Sequence, residues 1–300
     1  MKQKTNGHLA ALFTVTVWGA TFVCTKTLLR HFTPVEILLL RFTLGGLALC
    51  IASPGKMPLK SRLHELYFVA AGFSGLACYY LCENIALRYG DASLIGVLVS
   101  SAPLFAGIFG IFFLGEKLRG GFAAGFAIAM TGIVLISLGS DAAHIQPKGL
   151  ALSLLAAAAW GIYSPLTRKI ADLGYSALGA TRRIFLYGIV MMVPAALFDG
   201  FRISAVLSMG RIEAANLCFL GLCASAVCFL TWNYAVGILG SMKTCAYIYL
   251  SPVITVILAA IILRERLSGQ AVLGIMMVLA GLALSEWRPR EKGLKQHGAI

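Results

Sequence analysis

The chain has 300 residues, of which 12% are charged and 59% apolar, with 25 Lys and Arg against 12 Asp and Glu. Soluble domains carry about 25% charged residues and need polar side chains to cover their surface. The composition excludes a disordered chain, a nucleic-acid module and an ordinary cytosolic enzyme, and it predicts an all-α integral membrane protein.

A membrane span needs about 20 mostly apolar residues. Ten segments qualify in turn: 9–28, 34–52, 65–87, 93–114, 120–138, 149–167, 177–198, 214–238, 242–263 and 268–286. The first follows a short polar start, Met1–His8, with no small-residue cleavage site after it, so it is read as a retained span. The second opens with Thr33-Pro34-Val35-Glu36, the pattern of a capping box with Pro at the first helical position. That accounts for Glu36 without a ligand role. Arg41 lies eight residues past Thr33, which is roughly 12 Å into a ~30 Å slab and near its midplane.

The third span carries Glu83, a carboxylate deep in an apolar run. An ion pair with Lys26 of span one would neutralise it. Functionally, it is a candidate for proton coupling or for anchoring a substrate amine. Pro103 in span four and Pro252 in span nine each remove a backbone bond and free the carbonyls of Val99 and Ile248. Both are candidate hinges or gates, and the small residues Gly96, Ser100, Ser101 and Ser251 around them allow close packing or entry of water. The same spans end in Glu116 beside Lys117 and Glu265 beside Arg266, read as helix-end ion pairs. Arg183 in span seven follows Ser176 by seven residues and enters the bilayer from the face opposite Arg41.

Charged side chains inside spans are costly and usually face a cavity or a partner. Arg41 and Arg183 are therefore candidates for a substrate carboxylate, with helix packing as the alternative. Trp18, Trp160 and Tyr247 lie deep enough to line a pocket for an apolar or aromatic group. Tyr79, Tyr80, Tyr163, Trp232, Tyr234 and Tyr249 belong with them or with the interfacial belt. The eight cysteines all fall in apolar segments and act as small hydrophobes. Cys78 and Cys82 share a helical face with no histidine near them, so neither a metal nor another cofactor is expected.

Loop charges set the orientation. With the N-terminus inside, inside loops hold fourteen Lys and Arg and outside loops seven, placing both termini in the cytoplasm. The net charge of +13 then belongs to those loops rather than to a polyanion site.

Self-comparison reveals a repeat. A shift of 142 residues aligns Trp18-Gly19 with Trp160-Gly161, Arg41 with Arg183 and Gly46 with Gly188. A shift of 149 aligns Asn84 with Asn233, Pro103 with Pro252, Glu116 with Glu265, Gly125 with Gly274 and Gly132 with Gly281. The difference falls in a longer connection near Gly200–Ile212. Residues 9–138 and 149–286 thus form two units of five spans, with 287–300 a basic cytoplasmic tail. Five is odd, so two related units must be inserted in opposite senses: an inverted repeat, as used for alternating access.

The runs WGATFVCTK (18–26), APLFAGIFGIFFLGEKL (102–118) and TGIVLISLG (131–139) return as WGIYSPLTRK (160–169), SPVITVILAAIILRERL (251–267) and AGLALS (280–285). The chain resembles the drug/metabolite transporter superfamily and, within it, the EamA family with two tandem domains. The second copy has Arg264-Glu265 where the first has Gly115-Glu116. The resemblance implies a ten-span, multi-pass carrier of the bacterial inner membrane, many such carriers exporting amino acids or related metabolites.

The expectation is a secondary exporter of a small carboxylated metabolite, with protons as the candidate coupling ion. Efflux of lipophilic cations is the alternative, although it calls for central carboxylates and the chain offers only Glu83, off-centre near the outer end of span three. The chain has no Walker loop, His-Glu-x-x-His or Gly-x-Ser-x-Gly, which argues against a primary pump and against a membrane enzyme.

Overall fold

The structure is a computed structural model that describes residues 2–55, 57–114, 120–138, 146–258, 261–262, 264 and 269–286. Glu116, Lys117, Glu265, Arg266 and the tail 287–300 lie outside the described residues, as does the side chain of Pro252. Among the described residues the fold is entirely helical. A chain this apolar has little water to bond its backbone, so each segment satisfies its own N–H and C=O groups as a helix.

α1 runs Lys2–Leu28 and α2 Pro34–Ala52. Thr33 accepts from the Glu36 backbone N–H while Glu36 accepts from the Thr33 N–H, completing the capping box that the sequence predicts. Glu36 is buried and has a second partner, Arg202, whose side chain donates to both carboxylate oxygens at 2.9 and 2.8 Å. Bonding to this carboxylate raises the pKa of Arg202 above the usual guanidinium value. The connection after Gly200 is thereby tied to the start of α2.

α3 spans His64–Ala86 and contains a π-helical stretch at Gly72–Cys78. α4 consists of Ala92–Val99 and Ala102–Leu114, broken at Ser100-Ser101 just before Pro103. The hydroxyls of Ser100 and Ser101 donate to Gly96 O and Leu98 O at 2.7 Å, taking up carbonyls near the break. α5 is Gly120–Leu138, α6 Pro147–Asp172 and α7 Ala177–Asp199. A short α8, Ile203–Leu207, lies in the connection that the sequence reading left without structure. α9 spans Arg211–Leu239 with a second π-helical stretch at Phe219–Val227. α10 covers 241–258 with a 3-10 turn at Ala246–Tyr249, and α11 is Gly269–Glu286.

Seven of the described helices are long and apolar enough to cross a membrane. Their outer faces carry large apolar side chains such as Ile51 (80% exposed), Phe112 (78%) and Phe198 (92%), a surface that suits lipid and not water. The chain is a multi-pass membrane protein. Of the cysteines, Cys82, Cys228 and Cys245 are buried, whereas Cys218 is exposed.

Contacts between the two halves come in repeat-related pairs. A Cβ on Gly19 would press on Ile254, and one on Gly161 on Phe105, and Phe105 is the repeat mate of Ile254. Gly132 lies against Gly274 and Val278, and Gly281 against Gly125 and Ala129, so α5 and α11 meet through backbone at both places. The two π-helical stretches also fall at related positions, Gly72 packing on α7 and Gly221 on α2.

Candidate functional site

The centre of the fold is aromatic. Trp18 of α1, Trp160 of α6 and Trp232 of α9 converge, with ring centroids of Trp18 5.1 Å from each of the other two. Tyr79 of α3 lies 4.9 Å from Trp160 and 4.6 Å from Tyr80. Trp18, Trp160, Tyr79 and Tyr80 line a cavity of about 30 Å³ that also touches Thr21, Glu83, Ser100 and Ser251. That space suits a water molecule or two and is too small for a metabolite.

Glu83 is 1% exposed, hydrogen-bonds Tyr79, and leaves its Oε2 without a partner. Lys26 does not take the place the sequence suggested. Its Nζ donates to the carbonyls of Leu87 and Gly90 at 2.8 and 2.5 Å, beyond the last turn of α3. Arg41 is the cation whose charge reaches Glu83.

Arg41 is fully buried. Its Nε donates to Ser225 Oγ at 3.1 Å, its guanidinium lies 4.7 Å over the Tyr80 ring, and both terminal nitrogens are unpartnered. Arg183 is placed quite differently. It is paired with Glu65 in the first turn of α3 and bonded to Met57 O, away from the cavity. The structure thus brings Glu83, Trp18 and Trp160 together at the cavity, places Arg41 on Tyr80 of its wall, and leaves Arg183 outside.

Tyr247 also stands at the edge, its hydroxyl 2.7 Å from His8 Nδ1, while its neighbour Ile248 reaches the cavity. Pro103 is buried immediately after Ala102, which lines the cavity, and Ser251 lines it from α10. The breaks before both prolines therefore border the site. Tyr79 and Tyr80 were not singled out by sequence from the general aromatic set. The available signal was spacing: Tyr79 stands one helical turn before Glu83. Among the described residues no group of three metal-ligating side chains forms.

The model of the EamA-like transporter family matches the chain twice, over residues 5–138 and 147–287. The chain belongs to the EamA-like transporter family. It is 28% identical over 295 residues to a probable amino-acid metabolite efflux pump of Escherichia coli, covering 94% of this chain and 96% of that one. A probable terminal-alkyne amino-acid exporter of Streptantibioticus cattleyicolor is 27% identical over 278 residues, covering 92% and 91%. A solved crystal structure has the same fold, with a TM-score of 0.68 at 19% identity over 94% of this chain and 96% of the other. As an EamA-like member the chain is placed among the drug/metabolite transporters, and its aromatic, two-charge centre is the candidate translocation site.

Proposed function

We propose that the protein is a secondary active transporter that exports amino acids or related carboxylated metabolites across the bacterial inner membrane. The observation that carries this reading is the aromatic cavity lined by Glu83, with Arg41 stacked on Tyr80 of its wall, set between the two sequence repeats. The names of the two relatives point the same way. We read the chain as ten spans in two inverted five-helix units, 9–138 and 149–286, with both termini cytoplasmic. The paired contacts at Gly19 and Gly161, and at Gly132 and Gly281, support a two-fold relation between them.

Alternating access would follow as the units rock about the cavity, with the helix breaks before Pro103 and Pro252 as hinges. Arg183 has its charge matched by Glu65, so the carboxylate role falls to Arg41. Tyr247 is assigned to the rim. Glu83 is the carboxylate on which coupling to protons would depend. No chemical conversion and no cofactor are needed.

Uptake into proteoliposomes of the purified protein, with a panel of amino acids and metabolites and an imposed pH gradient, tests the reading. Saturable movement of carboxylated substrates is expected, and its absence across the panel would reject it. Efflux of lipophilic cations is a second reading, favoured by one observation: Glu83 lines the cavity together with Tyr79, Tyr80, Trp18 and Trp160, a carboxylate among aromatic rings that suits a cation. Selective movement of lipophilic cations in the same assay would establish it.

A further inference from the structure

The two halves are packed differently at one pair of related places. A crevice of about 200 Å³ lies where α6 and α9 end and α7 begins, with Ile170, Ala171, Ala177, Ala180 and Ile184 in its walls. The related positions of the first half hold Leu28, Leu29, Val35, Leu38 and Phe42, and Leu28, Leu38 and Phe42 are completely buried. Larger side chains close the first half where alanines leave the second open. Ile184 lies seven residues beyond Ala177, so the crevice runs about 10 Å into the slab from the helix ends. It is separate from the central cavity. The two share no lining residue, and Asn233, which lines the crevice, is held by Tyr163 and Thr181.

The mouth of the crevice is cationic. Arg168 donates to the carbonyls of Val236 and Gly237 at 3.3 Å, and Gly237 lines the crevice. Lys26, the repeat mate of Arg168, bonds the related carbonyl of Leu87, so the cation is common to both halves and the opening beside it is not. Lys60 Nζ lies 5.4 Å from the ring of Tyr175, another lining residue, and donates to the carbonyls of Leu173 and Gly174. Asp172 pairs with Arg168 at 2.9 Å, whereas among the described residues Lys60 is paired with no carboxylate. The mouth therefore keeps a net positive charge. It opens on the side of the α1 N-terminus, where Gly7 packs on Ile238 and Leu239.

An apolar crevice between spans, entered past two cations at the level of the helix ends, complements a lipid with a negative headgroup. We infer that it holds an anionic glycerophospholipid, one acyl chain along Ala177, Ala180 and Ile184 and the phosphate against Lys60 and Arg168. Seated there, the lipid braces the converging ends of α6, α7 and α9. The inference stands whatever substrate the central cavity takes.

The test is native mass spectrometry of the full-length protein, titrated in detergent with dioleoyl phosphatidylglycerol, dioleoyl phosphatidylcholine or glycerol 1-phosphate. Phosphatidylglycerol is expected to bind at least about tenfold more tightly than phosphatidylcholine, because two cations act on its charge. Glycerol 1-phosphate, which has no acyl chain, should not bind. Lys60→Gln and Arg168→Gln should each weaken phosphatidylglycerol by about fivefold and leave phosphatidylcholine unchanged, while Lys60→Arg keeps the preference. Ala180→Leu, which puts the first half's side chain into the crevice and removes no hydrogen bond, should weaken both lipids. Lys148→Gln, at the opposite end of α6, should change neither. Thermal unfolding of each variant separates loss of binding from loss of folding.

Equal affinity for the two lipids overturns the assignment, as does a preference that survives both Lys60→Gln and Arg168→Gln. Binding of glycerol 1-phosphate as tight as that of phosphatidylglycerol makes the mouth a site for soluble anions and overturns it too. Undiminished lipid binding in Ala180→Leu places the lipid elsewhere on the protein.

Discussion

Arg183 and Glu65 form a two-pronged ion pair, Nε to Oε1 at 2.7 Å and one terminal nitrogen to Oε2 at 2.6 Å, whereas Arg41, the repeat mate of Arg183, is stacked on Tyr80 and paired with no carboxylate. Tyr187 adds a hydrogen bond to the same Glu65 carboxylate. Both members of the pair are about three-quarters buried, so the contact sits between an exposed pair and a fully desolvated one. Glu65→Gln is expected to destabilise the protein by about 1–3 kcal/mol. Combining it with Arg183→Gln should recover part of that loss, because no unmatched charge is then left behind. Thermal unfolding of the two single variants and the double variant in detergent measures the coupling, and strictly additive losses would disprove it.

The two repeat-related asparagines should respond to the same substitution with opposite sign. Asn233 donates to Thr181 at 2.8 Å and accepts from Tyr163 at 3.0 Å. Asn84 is fully buried and neither of its amide atoms has a partner, since the positions related to Thr181 and Tyr163 are Leu39 and Thr21. Asn233→Leu strands two partners and is expected to cost about 1–3 kcal/mol, while Asn84→Leu removes an unpaired amide and should be neutral or stabilising. Unfolding temperatures of the two variants decide the matter.

Close approach of α5 and α11 predicts a steric penalty. A Cβ on Gly132 would lie 2.7 Å from Gly274 O and 2.9 Å from Val278 N, both backbone atoms that cannot rotate away. Gly132→Ala should destabilise by about 1–3 kcal/mol through overpacking. Gly269→Ala, with nothing within 4 Å of the added methyl, serves as the comparison and should be near neutral in the same melt.

A phenol outside the spans gives a pH signature. Lys148 Nζ donates to Tyr89 OH at 3.0 Å and lies over the ring, and this holds the Tyr89 pKa below the ordinary phenol value. An acid whose folded pKa is depressed stabilises the fold above its unfolded pKa of about 10, and that contribution is lost as pH falls through the folded value. Ionisation of Tyr89 therefore adds nothing at neutral pH, where Tyr89→Phe should be silent. An ultraviolet titration should show the earliest phenol disappearing in Tyr89→Phe and moving to higher pH in Lys148→Gln.

Hydropathy and local chemistry in the sequence determined where the helices run, how Thr33 and Glu36 cap α2, and which residues of the two halves correspond. Those properties depend on neighbours a few residues apart, so composition and spacing contain them. The breaks before Pro103 and Pro252 were legible for the same reason, since a missing N–H is a local fact. The tertiary structure alone decided that Arg183 meets Glu65 while Arg41 meets Ser225 and Tyr80, and that Lys26 turns to backbone carbonyls instead of Glu83. It also decided that Tyr79 and Tyr80 belong to the centre. Long cationic side chains can reach several partners from one backbone position, and which one they meet is settled by the helix packed opposite. The repeat thus made Arg41 and Arg183 equivalent in sequence, and the Glu65 or Ala214 across from each made them different.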